Sequence, residues 1–114
     1  MMESVESQID FDVNAFRAWL LAHWGEGVGI ACNDHLCPVA LWSSLRLGRP
    51  CSLTWDLMYV EGSGFSGEVL QVPEWVKRFT LALERYSMGG HAVISGAVAL
   101  SLLDQLFPDV PAAV

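Results

Sequence analysis

The apolar residues of this chain change their spacing in the middle of the sequence, and this change limits the folds open to it. Between residues 52 and 60, large apolar side chains fall at every second position, at Leu53, Trp55, Leu57 and Tyr59. This two-residue repeat is typical of a half-buried strand. Residues 61–64 indicate a turn, after which residues 65–72 can return as a second strand. The middle of the chain therefore predicts a small antiparallel sheet.

The segments on either side carry apolar residues three or four positions apart, as amphipathic helices do. Asp12 or Asn14 can cap a first helix, and Pro38 suits the first position of a second helix capped by Cys37. Pro73 indicates the start of a third, and Ser95 can cap a fourth that runs to about residue 107. We expect an α+β fold, with about four helices packed on a small antiparallel sheet of two to four strands.

One domain of this kind accounts for most of the chain. Residues 10–107 predict a single α+β domain, because they show neither an internal repeat nor a linker. Residues 1–9 are polar and predict a disordered N-terminal segment, and residues 108–114 predict a loose C-terminal tail.

The amount of apolar side chain is large for a protein of 12.5 kDa. Hydrophobic residues make up 53% of the chain, which has five tryptophans. A small domain has a high ratio of surface to volume, so we expect part of this apolar material to be buried against a partner, most simply a second copy. Tryptophan is enriched at interface hot spots. The predicted contact residues are Trp42, Trp55, Trp75 and Phe65, together with Leu102 and Leu106 of the last helix.

The charge and the cysteine content restrict the partners and the compartment. A formal net charge of −7 repels phosphate backbones, so we expect no direct nucleic-acid binding and a preference for a basic protein partner. The longest apolar run is too short for a membrane span. The chain begins without a basic signal-peptide region, and its three cysteines form no disulfide framework. A reducing, cytoplasmic setting is therefore expected.

Three phrases of the sequence together resemble a known pattern. They are Cys37-Pro38-Val39-Ala40-Leu41-Trp42, Val72-Pro73-Glu74-Trp75-Val76-Lys77-Arg78-Phe79 and Val93-Ile94-Ser95-Gly96-Ala97-Val98-Ala99-Leu100. This order resembles a family of small uncharacterised bacterial and phage proteins with the pattern C-P-x-A-x-aromatic, P-x-W-x-x-x-F and V-x-[ST]-A-x-x-A-L. Gly96 departs from it, since the pattern has alanine there. The resemblance implies no activity, but it suggests that the cysteine and the helix caps matter to the fold.

A thiol site is the leading alternative to a binding function. Cys37 lies at a predicted helix N-terminus, where the dipole favours a thiolate, and His35 is close enough in sequence to take its proton. A second alternative is a zinc site built from Cys32, His35, Cys37 and Cys51, although their spacing matches no standard zinc pattern. The purely structural interpretation is that Cys37 is a small buried cap residue.

These observations favour binding over catalysis. We expect a small acidic regulatory or inhibitory protein that forms a homodimer, docks on another protein and uses no cofactor. Its size and charge are typical of inhibitors encoded by phages or mobile elements, such as anti-CRISPR proteins. The remaining alternatives are a thiol-dependent enzyme or redox sensor centred on Cys37 and His35, and a structural homodimer.

Overall fold

The computed structural model describes residues 11–54, 56–62 and 67–107, and within them it has an α+β fold. Four helices are present in these ranges: α1 Val13–Ala22, α2 Pro38–Leu47, α3 Glu74–Ser87 and α4 Gly96–Leu106. The strands are β1 Gly27–Ile30, β2 Cys51–Thr54, β3 Leu57–Val60, β4 Glu68–Gln71 and β5 Val93–Ser95. The predicted fold class is confirmed. The predicted terminal segments 1–9 and 108–114, together with Trp55 and Phe65, lie outside the described residues.

The helices begin where local sequence signals predict. Asp12 caps α1 by accepting a hydrogen bond from the Asn14 N–H at 3.0 Å. Cys37 is the N-cap of α2, with Pro38 in the first turn. Ser95 caps α4 through a 3.2 Å bond from the Val98 N–H to its Oγ. The Asp12 and Ser95 side chains each bond an N–H group that the first helical turn leaves unpaired. Pro38 has no N–H group, so it leaves none unpaired.

The segment predicted as one strand over residues 52–60 is instead a hairpin of two strands. Thr54 lies opposite Leu57, and Leu53 lies opposite Met58. Residues opposite each other in a hairpin share a face of the sheet, so the buried set changes from odd to even numbers after the reversal. Leu53 and Met58 are consequently buried, whereas Tyr59 is exposed. The simple alternation placed Tyr59 on the same face as Leu53, and that expectation is wrong.

The strands form two sheets where one was expected. The larger has the order β2-β3-β4 and is antiparallel throughout. In the smaller, β1 pairs with β5, so residues from both ends of the described chain meet. β5 thus finds its partner about 65 residues earlier in the chain, and not in the neighbouring sheet. Such long-range pairing carries no local sequence signal.

Aromatic side chains form the centre of the core. The Phe16 ring is surrounded by four other rings, with centroids between 5.1 and 5.9 Å away, those of Trp19, Trp42, Trp75 and Phe79. Trp42 is 3% exposed, so it lies in the core and not on the contact surface for which the sequence suggested it. Trp75 is partly buried, and its Nε1 donates to the Phe11 carbonyl at 2.8 Å. Much of the surplus indole surface is thus used inside the domain.

The last helix packs mainly inward. Leu103 is buried, and Leu102 and Leu106 are partly buried against the core. Arg17 of α1 also links the first and last helices. Its guanidinium donates two hydrogen bonds to the Asp104 carboxylate of α4, at 2.8 and 3.2 Å. A two-point bond of this kind fixes the relative orientation of the two helices.

Candidate functional site

The Cys37 thiol is buried at the N-terminus of α2 and is 6% exposed. Backbone N–H groups of the first helical turn, including those of Val39 and Ala40, favour the thiolate. Burial opposes them and is the larger effect, so the pKa of Cys37 is raised to about 11. The thiol is therefore protonated at neutral pH, contrary to the lowered pKa that a nucleophile at a helix N-terminus would need.

His35 is exposed and faces a different part of the molecule from Cys37. The loop before α2 is shaped by the Asn33 side chain, whose Oδ1 accepts from the N–H groups of His35 and Leu36 at 3.0 and 2.9 Å. His35 lines a cavity at the end of the larger sheet, whereas Cys37 lines a small cavity of about 100 Å³ beside α3. The two side chains line different cavities and are not placed to act together as a base and a nucleophile.

The four residues suggested as zinc ligands do not converge. Cys51 is buried in β2 and its thiol donates weakly to the Arg49 carbonyl, at 3.5 Å. Cys32 is partly exposed and lies 3.7 Å from the Ser87 hydroxyl. Within residues 11–54, 56–62 and 67–107, no group of three or more His, Cys, Asp or Glu side chains is placed to hold a metal ion. The zinc alternative therefore lacks its ligand set in this part of the chain.

A cavity of about 490 Å³ lies at one end of the β2-β3-β4 sheet. It is found where β2 and β4 begin and β3 ends, with the loop before α2 closing one side. Its walls are formed by His35, Pro50, Cys51, Ser52, Tyr59, Val60, Glu61, Gly62, Gly67, Glu68 and Val69. This size is within the range of protein ligand pockets. We refer to the cavity and the adjoining Tyr59 and Val69 side chains as the sheet-end surface.

Two exposed apolar side chains stand together on this surface. Tyr59 and Val69 are directly opposite each other on β3 and β4. They are 41% and 54% exposed, although residues of this type are usually covered in a sheet. A cross-strand apolar pair left open to solvent is the kind of contact that a partner side chain can cover.

Two carboxylates border the same cavity. Glu61 and Glu68 both line it. Arg49 is close, but its Nε donates to the backbone carbonyl of Glu61, at 2.7 Å, and not to the carboxylate. Among the described residues neither glutamate takes part in an ion pair. Both carboxylates are therefore available to a cationic group from outside.

A second exposed feature is a groove along α4. It is lined by Trp24, Ala97, Leu100, Ser101, Asp104 and Gln105 and has a volume of about 430 Å³. Trp24 is 58% exposed, and the neighbouring Leu21 is 57% exposed. We call this feature the α4 groove. Trp24 is one of the aromatic residues that exceed what a small core needs, and it is an exposed indole.

Of the predicted site residues, His35 and Cys51 line the sheet-end surface. Sequence reasoning missed its other side chains, because Tyr59 was assigned to the inward face and Val69, Glu61 and Glu68 were not among the candidate site residues. A signal was present, because Asp56 lies in the middle of the alternating segment, and aspartate favours turns over strands. A hairpin at that point would have turned Tyr59 outward.

Comparison with protein-family models, curated proteins and solved structures found no match to this chain. The helices in the described residues are each too short, or not apolar enough, to cross a lipid bilayer. The geometry of the surface is therefore the basis for assigning a function.

Proposed function

We propose that this chain is a small acidic protein-binding protein, regulatory or inhibitory in its role, and that the sheet-end surface is where it contacts a basic partner. Its similarity to inhibitors encoded by phages or mobile elements remains a prediction from size and charge.

The observation that carries this proposal is the combination, at one place, of exposed apolar side chains and of two carboxylates that form no ion pair with any described residue. Tyr59 and Val69 offer apolar area, while Glu61 and Glu68 border the cavity beside them. Protein interfaces commonly have an apolar centre with a charged rim. A net charge of −7 adds a long-range attraction for a basic partner and speeds its association.

The rival thiol-dependent function has less physical support. A nucleophilic or redox-sensing thiol must ionise and be reached by its substrate. Cys37 meets neither condition, since it is buried and its pKa is raised to about 11. His35 borders the acidic cavity, where it adds to the polar lining.

A comparative capture experiment tests the proposal. The full chain, a Tyr59→Ser/Val69→Ser double variant and a Leu45→Ser/Met88→Ser double variant are immobilised and exposed to the same lysate. Leu45 and Met88 are 69% and 92% exposed and lie outside the sheet-end surface, so the second variant is a matched control. Proteins retained by the native chain and the control, but lost from the first variant and released by salt, support the proposal.

The opposite pattern would overturn it. If both double variants retain the same proteins as the native chain, the sheet-end surface is not the contact site. Circular dichroism of each variant checks that the fold is intact, because all four substituted side chains are exposed and their replacement should cost little stability.

A further inference from the structure

Among residues 11–54, 56–62 and 67–107, the hydrogen-bond pattern of the larger sheet leaves the β4 edge without a neighbouring strand. In an antiparallel ladder, consecutive residues direct their N–H and C=O groups alternately toward one neighbour and the other. The Val72 N–H donates to the Asp56 carbonyl at 3.2 Å, which sets the alternation for β4. Leu70 and Glu68 therefore face β3, and Val69 and Gln71 direct their backbone groups away from it.

The opposite edge of the sheet is closed by side-chain and loop contacts. The outward N–H of Cys51 donates to the Ser44 Oγ at 2.9 Å, and the outward N–H of Leu53 donates to the Asp34 carbonyl at 2.8 Å. On β4, none of the described residues forms a hydrogen bond with the outward backbone groups of Val69 or Gln71. Both side chains are exposed as well. An edge with free backbone groups is a template for another strand.

We infer that the β4 edge binds an extended basic segment of the partner as an added strand. This inference rests on the proposed function and specifies how the partner binds. The Val69 and Gln71 backbone groups would supply the main-chain hydrogen bonds. Glu68 and Val69 are successive residues of β4, so their side chains lie on opposite faces of the sheet. Apolar side chains of the added strand would cover Val69, and its lysine or arginine side chains, on the other face, would reach Glu68. A second copy is a poorer occupant, because each copy carries a charge of −7.

The test uses a short capped peptide of alternating lysine and valine as the probe, titrated into the isotope-labelled full chain and followed by NMR. Its acidic counterpart, alternating glutamate and valine, is the charge control. We expect saturable shifts around Tyr59 and Val69 with the basic peptide, and slower exchange of the Val69 and Gln71 amide protons. Absence of saturable binding, or equal binding of the acidic peptide, overturns the inference.

Two chemical variants test the main-chain bonds themselves. Val69→Pro removes the outward N–H without touching the bonds to β3, since proline is tolerated on a strand edge. Val69→Thr keeps the N–H and is the matched control. Loss of that donor should weaken peptide binding at least about fivefold, whereas Val69→Thr should change it less. Equal affinities of the two variants would count against an added strand.

Methylation of the peptide gives a second, independent measure that does not alter the protein. In a strand, alternate N–H groups point to the same side. N-methylation of all the valines or of all the lysines should therefore abolish binding in one set and spare it in the other. Equal effects of both sets would overturn strand addition.

The titration itself has two further outcomes. Chemical shift changes at Tyr59 without protection of the Val69 and Gln71 amide protons would also overturn strand addition, while leaving the proposed function standing. Association of the labelled chain with itself through β4 would instead identify a second copy as the occupant and refute the basic segment.

Discussion

Adding a methyl group at Gly96 should destabilise the protein, because this glycine allows α4 to touch the end of α1. A Cβ atom at residue 96 would lie 2.3 Å from the His23 carbonyl oxygen, 2.7 Å from the His23 carbonyl carbon and 2.8 Å from the Leu20 carbonyl oxygen. All three are backbone atoms, so no side-chain rotation can relieve the overlap. The start of α4 would have to move away from α1.

The size of the effect follows from what that movement disturbs. Overpacking of a close contact costs about 1–3 kcal/mol. The shift would also stretch the bonds from the Gly96 and Ala97 N–H groups to the Glu26 and Trp24 carbonyls, both 2.9 Å long, which are worth about 1 kcal/mol each. Replacing glycine by alanine returns about 0.4–1 kcal/mol by restricting the unfolded chain. We expect Gly96→Ala to lower the free energy of unfolding by about 2–3 kcal/mol.

Urea denaturation followed by tryptophan fluorescence measures this difference, with the m-value checking that both transitions remain two-state. Gly25→Ala is the matched control, because a Cβ there has no heavy atom within 4 Å. Its free energy of unfolding should change by no more than about 1 kcal/mol. If Gly96→Ala is as stable as Gly25→Ala, the close approach of the two helices is not what selects glycine at this position.

Two further predictions concern the thiol and the oligomeric state. Burial raises the pKa of Cys37 from an ordinary 9.0 to about 11, so the unfolded chain loses this proton first and stability falls as pH rises from about 9 to 11, by about 3 kcal/mol in all. Urea titrations across that range should show a flatter decline for Cys37→Ala, and an unchanged slope would contradict the assignment. The homodimer remains a prediction, and the α4 groove is the apolar area it would cover. Trp24→Ser should then shift the light-scattering mass toward the monomer while Leu45→Ser does not, and a native chain that is monomeric at high concentration would contradict the dimer.

Glycine at residue 96 has a spatial reason, since the residue is pressed against the carbonyl groups of His23 and Leu20. The neighbouring sequence does not predict this contact, because residues 20 and 96 are far apart along the chain.

The candidate site was the part that sequence reasoning placed least well. The sequence drew attention to Cys37 and Trp42, which are reactive or large side chains, and both are buried. The surface that is open to a partner contains Tyr59 and Val69 instead. Whether a side chain is covered depends on which elements pack over it, and residue type alone is a poor guide to that in a chain so rich in apolar residues.

Sequence by itself determined the starts of the helices and the fold class. The Asp12 and Ser95 side chains accept bonds from N–H groups two or three residues further on, and Pro38 lacks the N–H that would be unpaired at the start of α2. These effects are local, so they can be seen in the sequence. Tertiary structure decided that β1 pairs with β5 and that, among the described residues, β4 pairs with β3 alone. β1 and β5 are far apart along the chain, so their pairing has no local signal. Tertiary packing also decided the register of the hairpin over residues 51–60, where a shift of one residue would exchange the buried face for the exposed one.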